Sequence, residues 1–245
     1  MHRIVKTAGA ALAASGSLLA PVAHAGDGSG IFSAIQLTTD YRYHGISNSD
    51  RHPAVQGYVH YYRPDGWYAG LFATQVDFND PGKTSYELDY YAGKNIPFEG
   101  GKSELKLEAM YTAYPDNKTF GPTYDFLQVK AQARRTMGKL TLTGLTSFVP
   151  EGSYRSGQIW RLESEAVYAV APNLRLKAGV GRQWTGHRPE RNYWVLGGAV
   201  TWKTLTLDVS YQDTNLSRAE CGFSPDVCGP AVVGTLTVSL PPVMF

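Results

Sequence analysis

Ionisable side chains recur at every second position in several stretches of the 245-residue chain. Glu87 and Asp89, Glu104, Lys106 and Glu108, Lys130 and Arg134, Arg161, Glu163 and Glu165, and Arg175 and Lys177 alternate with apolar or small neighbours. On an extended chain residues two apart share a face, so each stretch carries one charged face and one greasy one. A face of mixed sign sorts ions and polar solutes by charge, or its charges neutralise one another across neighbouring strands. In the first case these residues line an aqueous path and set its preference. In the second they form a salt-bridged plug.

Catalysis has weaker support. His44, Ser47, Ser49, His52 and His187 fall in polar segments between the alternating stretches. No G-x-S-x-G or similar frame surrounds them, so no enzyme activity is expected. His60 is expected to face inward as one more polar group. The two cysteines, Cys221 and Cys228, share segment 212–231, which contains no His. A metal site there would lack ligands, and no metal or other cofactor is expected. In an exported protein the pair is expected to form a disulfide, closing a short loop worth about 2–3 kcal/mol.

The elements that would position these residues are strands. Period-two alternation appears in 31–43, 53–62, 67–76, 84–96, 102–114, 123–135, 139–149, 158–170, 174–184, 193–202, 205–211 and 232–240. In 102–114, Leu105, Leu107, Ala109 and Tyr111 oppose the charged residues; in 158–170, Trp160, Leu162, Ala166 and Tyr168 do so. Connections alternate long and short. The short ones are Arg63-Pro64-Asp65-Gly66, Pro97 to Gly101, Thr136-Met137-Gly138, Ala171-Pro172-Asn173 and Lys203-Thr204, most with the Gly or Pro of a hairpin turn. Short periplasmic turns alternating with longer outer loops mark a bacterial outer-membrane barrel. The expected fold is all-β, a single antiparallel up-and-down transmembrane β-barrel of about twelve strands. Aromatics gather at the strand ends. Tyr41, Tyr43, Tyr114, Tyr124, Phe148, Trp160, Trp184 and Tyr193 on the loop side, with Tyr61, Trp67, Tyr168 and Trp202 on the turn side, are expected to form two interfacial girdles.

Export is read at the N-terminus. Arg3 and Lys6 precede an apolar stretch from Ala8 to Ala20 that ends at Ala23-His24-Ala25, a small-x-small cleavage pattern. Residues 1–25 are expected to be a signal peptide and 26–245 the barrel, placed in the outer membrane of a Gram-negative cell. Cleavage removes Arg3 and Lys6 and leaves 21 Lys+Arg against 21 Asp+Glu, a neutral balance that excludes a nucleic-acid partner. Mean hydropathy is −0.26, which says little, because a membrane barrel confines its apolar residues to alternate positions.

The run Thr38-Thr39-Asp40-Tyr41-Arg42-Tyr43-His44-Gly45-Ile46-Ser47-Asn48-Ser49-Asp50, followed by Pro53-Ala54-Val55-Gln56-Gly57, resembles the opening signature of the TorF family of Gcw_chp-type outer-membrane porins. Gly66-Trp67-Tyr68-Ala69-Gly70, Val76-Asp77-Phe78, Glu87-Leu88-Asp89-Tyr90-Tyr91-Ala92-Gly93 and Tyr114-Pro115 extend the likeness over most of the chain after residue 25. His44 stands where family members usually carry Arg, and Arg51-His52 replaces the usual Asn-Lys, so the first outer loop differs from the family pattern. The resemblance implies an outer-membrane barrel. The C-terminal Phe245 looks like the terminal aromatic by which the barrel-assembly machinery recognises such chains, although Pro241 and Pro242 should interrupt the preceding strand.

The expected function is passive diffusion of small hydrophilic solutes or ions through a porin-like channel, with outer loops 44–52 and 212–231 as constrictions. A closed structural or adhesin-like barrel acting through its extracellular loops is the alternative, and a soluble periplasmic binding barrel is the third. Expected partners are outer-membrane lipid, the barrel-assembly machinery and small hydrophilic solutes. Oligomeric state is left open.

Overall fold

Alternate residues along every long strand point into apolar surroundings or into a shared polar interior, and that division closes the sheet. The computed structural model describes residues 28–118, 124–221, 224 and 226–245, and the expected leader at 1–25 lies outside the described residues. In chain order the strands are β1 (Gly30–Thr38), β2 (Arg42–Tyr43), β3 (Ile46–Ser47), β4 (Ala54–Tyr62), β5 (Trp67–Gln75), β6 (Tyr86–Phe98), β7 (Ser103–Ala113) and β8 (Phe126–Met137). They continue with β9 (Leu140–Val149), β10 (Ile159–Ala171), β11 (Leu174–Thr185), β12 (Arg191–Trp202), β13 (Leu205–Thr214), β14 (Ala231–Ser239) and β15 (Val243–Met244). β1 and β4 to β14 form a closed 12-strand antiparallel barrel, each strand paired with the next and β14 returning to β1 through Leu37 opposite Leu236. Closure leaves no unpaired strand edge. No described helix is long and apolar enough to cross a membrane.

The outer face is greasy along the whole wall. Leu162, Trp184, Leu196 and Val209 are exposed there, while Arg161, Glu163, Gln183 and Asp208, each one step from one of them along the same strand, are buried. A monomer in water rarely exposes more than a few hundred Å² of contiguous apolar surface. A belt of this extent needs an apolar medium. Tight turns close the other end of the barrel. At Gly66, φ is +90° and a Cβ would strike the Asn95 carbonyl, so the turn admits no other residue without strain.

The C-terminal strand solves its proline problem with a bulge. Val238 pairs with Ile35 and Val243 with Ile31, a register offset by one residue across Pro241-Pro242. A one-residue slip exchanges the two faces of a strand. Here it brings Val243 and Phe245 outward together with Leu240, and all three are exposed.

Two expectations are corrected. The first strand ends at Thr38 rather than 43, because Asp40 to Ser47 leaves the wall and folds inward through residues of positive φ at His44 and Gly45. The loop-side girdle loses five of its tyrosines. Tyr41, Tyr114, Tyr124 and Tyr193 are buried and Tyr43 is half-buried; the hydroxyls of Tyr41 and Tyr114 donate to Glu87 and that of Tyr43 to Gln128, polar partners that lipid chains do not offer. Trp160, Trp184, Tyr61, Trp67, Tyr168 and Trp202 do face outward, with Phe148 stacked on Trp160 at 4.4 Å.

Candidate functional site

The charged residues singled out above all sit on the inward side of their strands. Glu108 on β7 is held between Lys106 at 3.0 Å and Lys130 at 3.1 Å, and it also accepts the Tyr68 hydroxyl at 2.9 Å. Glu104 meets Arg134 at 3.5 Å across the β7–β8 pair. Lys177 reaches Asp208 on β13 at 2.8 Å. Glu87 accepts the Tyr41 hydroxyl at 2.7 Å and the Tyr114 hydroxyl, and Asp89 accepts Thr112 at 2.5 Å. Glu163 lies 3.5 Å from His44, the Arg161 Nε donates to Gln183 at 2.7 Å, and Glu165 and Arg175 project into the same interior. Glu104, Lys106, Glu108, Lys130, Arg134 and Lys177 are therefore held in ion pairs, which offset the cost of burying them.

The interior has a second wall without a charged signature in the sequence. Tyr58, His60 and Tyr62 on β4, Tyr68 on β5 and Tyr91 on β6 face inward as a linked aromatic cluster. Tyr91 Oη lies 2.6 Å from His60 Nδ1. Gly93 makes room for it, because a Cβ there would collide with the Tyr68 ring. Alternation of Tyr58, His60 and Tyr62 with Val59 and Tyr61 was the available signal. Asp208 carried the same signal, alternating with Leu207 and Val209.

Across the upper interior lies the β2–β3 hairpin of the first outer loop. The Tyr43 hydroxyl donates to Gln128 Oε1 on β8 at 3.2 Å, and the Arg161 guanidinium of β10 sits 5.4 Å from the Tyr43 ring. The His44 ring lies 5.3 Å from Tyr193 on β12, while Tyr41 reaches back to Glu87 on β6. One short hairpin thus touches walls on several sides of the barrel. Burial pulls the His44 pKa down to about 4, so the hairpin brings a neutral imidazole against Glu163, Arg161 and Arg191.

The last outer loop clamps that hairpin. Arg42 is fully buried; its Nη2 donates to the carbonyls of Gly45 at 2.7 Å, Val227 at 3.0 Å and Gly229 at 2.7 Å, and its Nη1 to Asp40 at 3.2 Å. Arg51 adds bonds to the carbonyls of Asp226 and Pro230. Cys221 and Cys228 are joined, and the Cys228 carbonyl accepts from Thr214 at 2.8 Å, which fixes the segment that receives Arg42. Replacing both cysteines with serine is expected to lower the stability of this loop by about 2–3 kcal/mol. Faster proteolysis of segment 215–230 in the folded barrel checks it. An unchanged cleavage rate would show that the disulfide does not hold the clamp.

Beside the hairpin, whose Tyr43, Ile46 and Ser47 contribute to its lining, a cavity of about 290 Å³ is lined by Glu87, Asp89 and Tyr114 and by Arg161, Arg188 and Arg191. Residues 23–239 match a family described as "Bacterial protein of unknown function (Gcw_chp)". The chain belongs to the Gcw_chp family. A comparison with curated proteins gives no significant match. Among solved structures this Gcw_chp barrel is similar to an outer membrane channel from Pseudomonas putida F1, with 11% identity and a TM-score of 0.57 over 93% of this chain and 100% of that one. It is also similar to the KdgM porin, with 7% identity and a TM-score of 0.55 over 87% and 99%. The NanC porin gives 10%, 0.53, 86% and 99%. At these identities the likeness is one of fold, a closed 12-strand antiparallel β-barrel similar to those of outer-membrane porins.

Proposed function

We propose that this Gcw_chp-family chain spans the outer membrane and conducts small hydrophilic solutes or ions by passive diffusion, with no catalysis. The observation that carries this reading is the contrast between an exterior of exposed Leu, Val and Trp and an interior lined by Glu104, Lys106, Glu108, Lys130, Arg134 and Lys177. The midplane of a bilayer makes outward Lys or Arg cost about 2–4 kcal/mol, so the segregation is selected by membrane and water on opposite sides. The motif likeness to TorF-family porins supports the same reading. The β2–β3 hairpin is the constriction in this scheme. Phe245, turned outward by the proline bulge, is the handle offered to the barrel-assembly machinery.

A second reading, a closed barrel that acts through its outer loops, is favoured by the cross-strand ion pairs, which neutralise the lining. Planar-bilayer recording on purified, refolded protein separates them. Discrete conductance steps are expected, with ion preference altered by Arg134→Ala. Absence of any step favours the closed barrel; a step indifferent to Arg134 keeps the channel and removes that residue from its ion preference.

A further inference from the structure

Several lysines and arginines of the interior are ion-paired and, among the described residues, three arginines near the outer mouth are not. Lys106 and Lys130 pair with Glu108, Arg134 with Glu104 and Lys177 with Asp208. Arg161, Arg188 and Arg191 make no ion pair among the described residues, yet all three line the one cavity of about 290 Å³. Arg161 is 4% exposed. Its Nε is committed to Gln183, but its Nη1 has no hydrogen-bond partner among the described residues. A buried charged donor left without an acceptor is costly, so the site is built to receive one. Arg191 Nε is occupied by the His44 carbonyl at 3.2 Å, which fixes its guanidinium against the hairpin.

The opposite wall makes no ion pair with these arginines among the described residues, and its carboxylates are engaged within their own wall. Both Glu87 oxygens already accept tyrosine hydroxyls, and Asp89 Oδ1 accepts Thr112. Glu87 and Asp89 thus have hydrogen-bond donors of their own, while Arg161 keeps a spare one. Spare donors of a planar, forked guanidinium suit an oxyanion, which takes two parallel N–H bonds from one group.

We infer that Arg161, Arg188 and Arg191 form an anion subsite at the outer end of the lumen, for small solutes that carry a carboxylate, sulfate or phosphate group. As a step in permeation it rests on the channel reading above; as a binding site it does not. The volume lies near the lower end of small-molecule pockets, about 300–1,000 Å³, so the solute is small.

Titration calorimetry on the refolded full chain in detergent tests this, with sodium malonate, sodium sulfate and glucose as probes. Malonate or sulfate binds and glucose does not. Arg161→Gln combined with Arg191→Gln weakens anion binding at least about tenfold, the loss of one or more charge-assisted hydrogen bonds. Arg188→Gln, at an exposed position that leaves folding intact, weakens it severalfold. Arg182→Gln, on the outward face and paired with Glu190, changes nothing. Equal binding of glucose, or anion binding untouched by Arg188→Gln and by the double change, overturns the subsite. Bilayer recording on the same preparations distinguishes the two ideas. Conductance without anion binding discards the subsite and keeps the channel, and anion binding without conductance does the reverse.

Discussion

Arg42→Ala is expected to raise single-channel conductance and to free the first outer loop from the lumen. Arg42 ties the hairpin to the last loop through the carbonyls of Val227 at 3.0 Å and Gly229 at 2.7 Å, and braces the hairpin itself through Gly45 at 2.7 Å and Asp40 at 3.2 Å, with its side chain fully buried. Alanine leaves the Asp40 carboxylate buried without its cation and the carbonyls of Gly45, Val227 and Gly229 without their donor. Removing one partner of a buried charged network costs about 3–5 kcal/mol. That free energy falls on docking of the hairpin rather than on the barrel wall, whose ladder Arg42 does not join. A shift of that size moves a two-state docking equilibrium more than about a hundredfold. Bilayer recording and limited proteolysis of 39–53 check it together. Unchanged conductance and an unchanged cleavage rate would mean that the hairpin is not held by this clamp.

The second large effect is expected at Glu108→Gln. This carboxylate is 8% exposed and neutralises both Lys106 and Lys130, while accepting the Tyr68 hydroxyl. The amide keeps the shape and one acceptor but leaves two cations close together in the lumen. Stability in urea should fall by about 3–5 kcal/mol, the cost of stranding a buried charge. If the lumen conducts, its preference should move toward anions, read as a severalfold rise in the chloride-to-potassium permeability ratio. Loss of stability without any change of ion preference would fit a plug rather than a path.

Much of this architecture is legible because two solvents write it. Lipid outside and polar groups inside force alternation on every strand, so residues such as Leu162 against Arg161 and Glu163, or Leu176 against Arg175 and Lys177, reveal register and face directly. The number of barrel strands and the alternation of long and short connections follow from the same rule. What was not legible depends on contacts remote in the chain. Nothing local to Asp40-Tyr41-Arg42-Tyr43 says that the strand stops at Thr38, because the acceptors for Arg42 lie on Val227 and Gly229, 185 and 187 residues away. Tyrosine is ambiguous for another reason. It is at home both in a membrane interface and in a polar interior, so Tyr168 faces outward and Tyr193 inward without any local difference to announce it. His60 faces inward as expected, whereas Asp208 between Leu207 and Val209, and Tyr58 and Tyr62 beside His60, are inward residues that a pattern of recurrent charge does not mark.

A water-filled lumen inside a lipid-facing wall is most directly tested by thiol accessibility at two adjacent residues of β8, Gln132 and Ala133. Gln132 is buried on the inward face and Ala133 is exposed on the outward one. With each replaced by cysteine and the protein embedded in a bilayer, a small charged thiol reagent should label Gln132→Cys and reduce the current, and leave Ala133→Cys unmodified. Labelling at Ala133→Cys with protection at Gln132→Cys would contradict both the assignment of faces and the aqueous path.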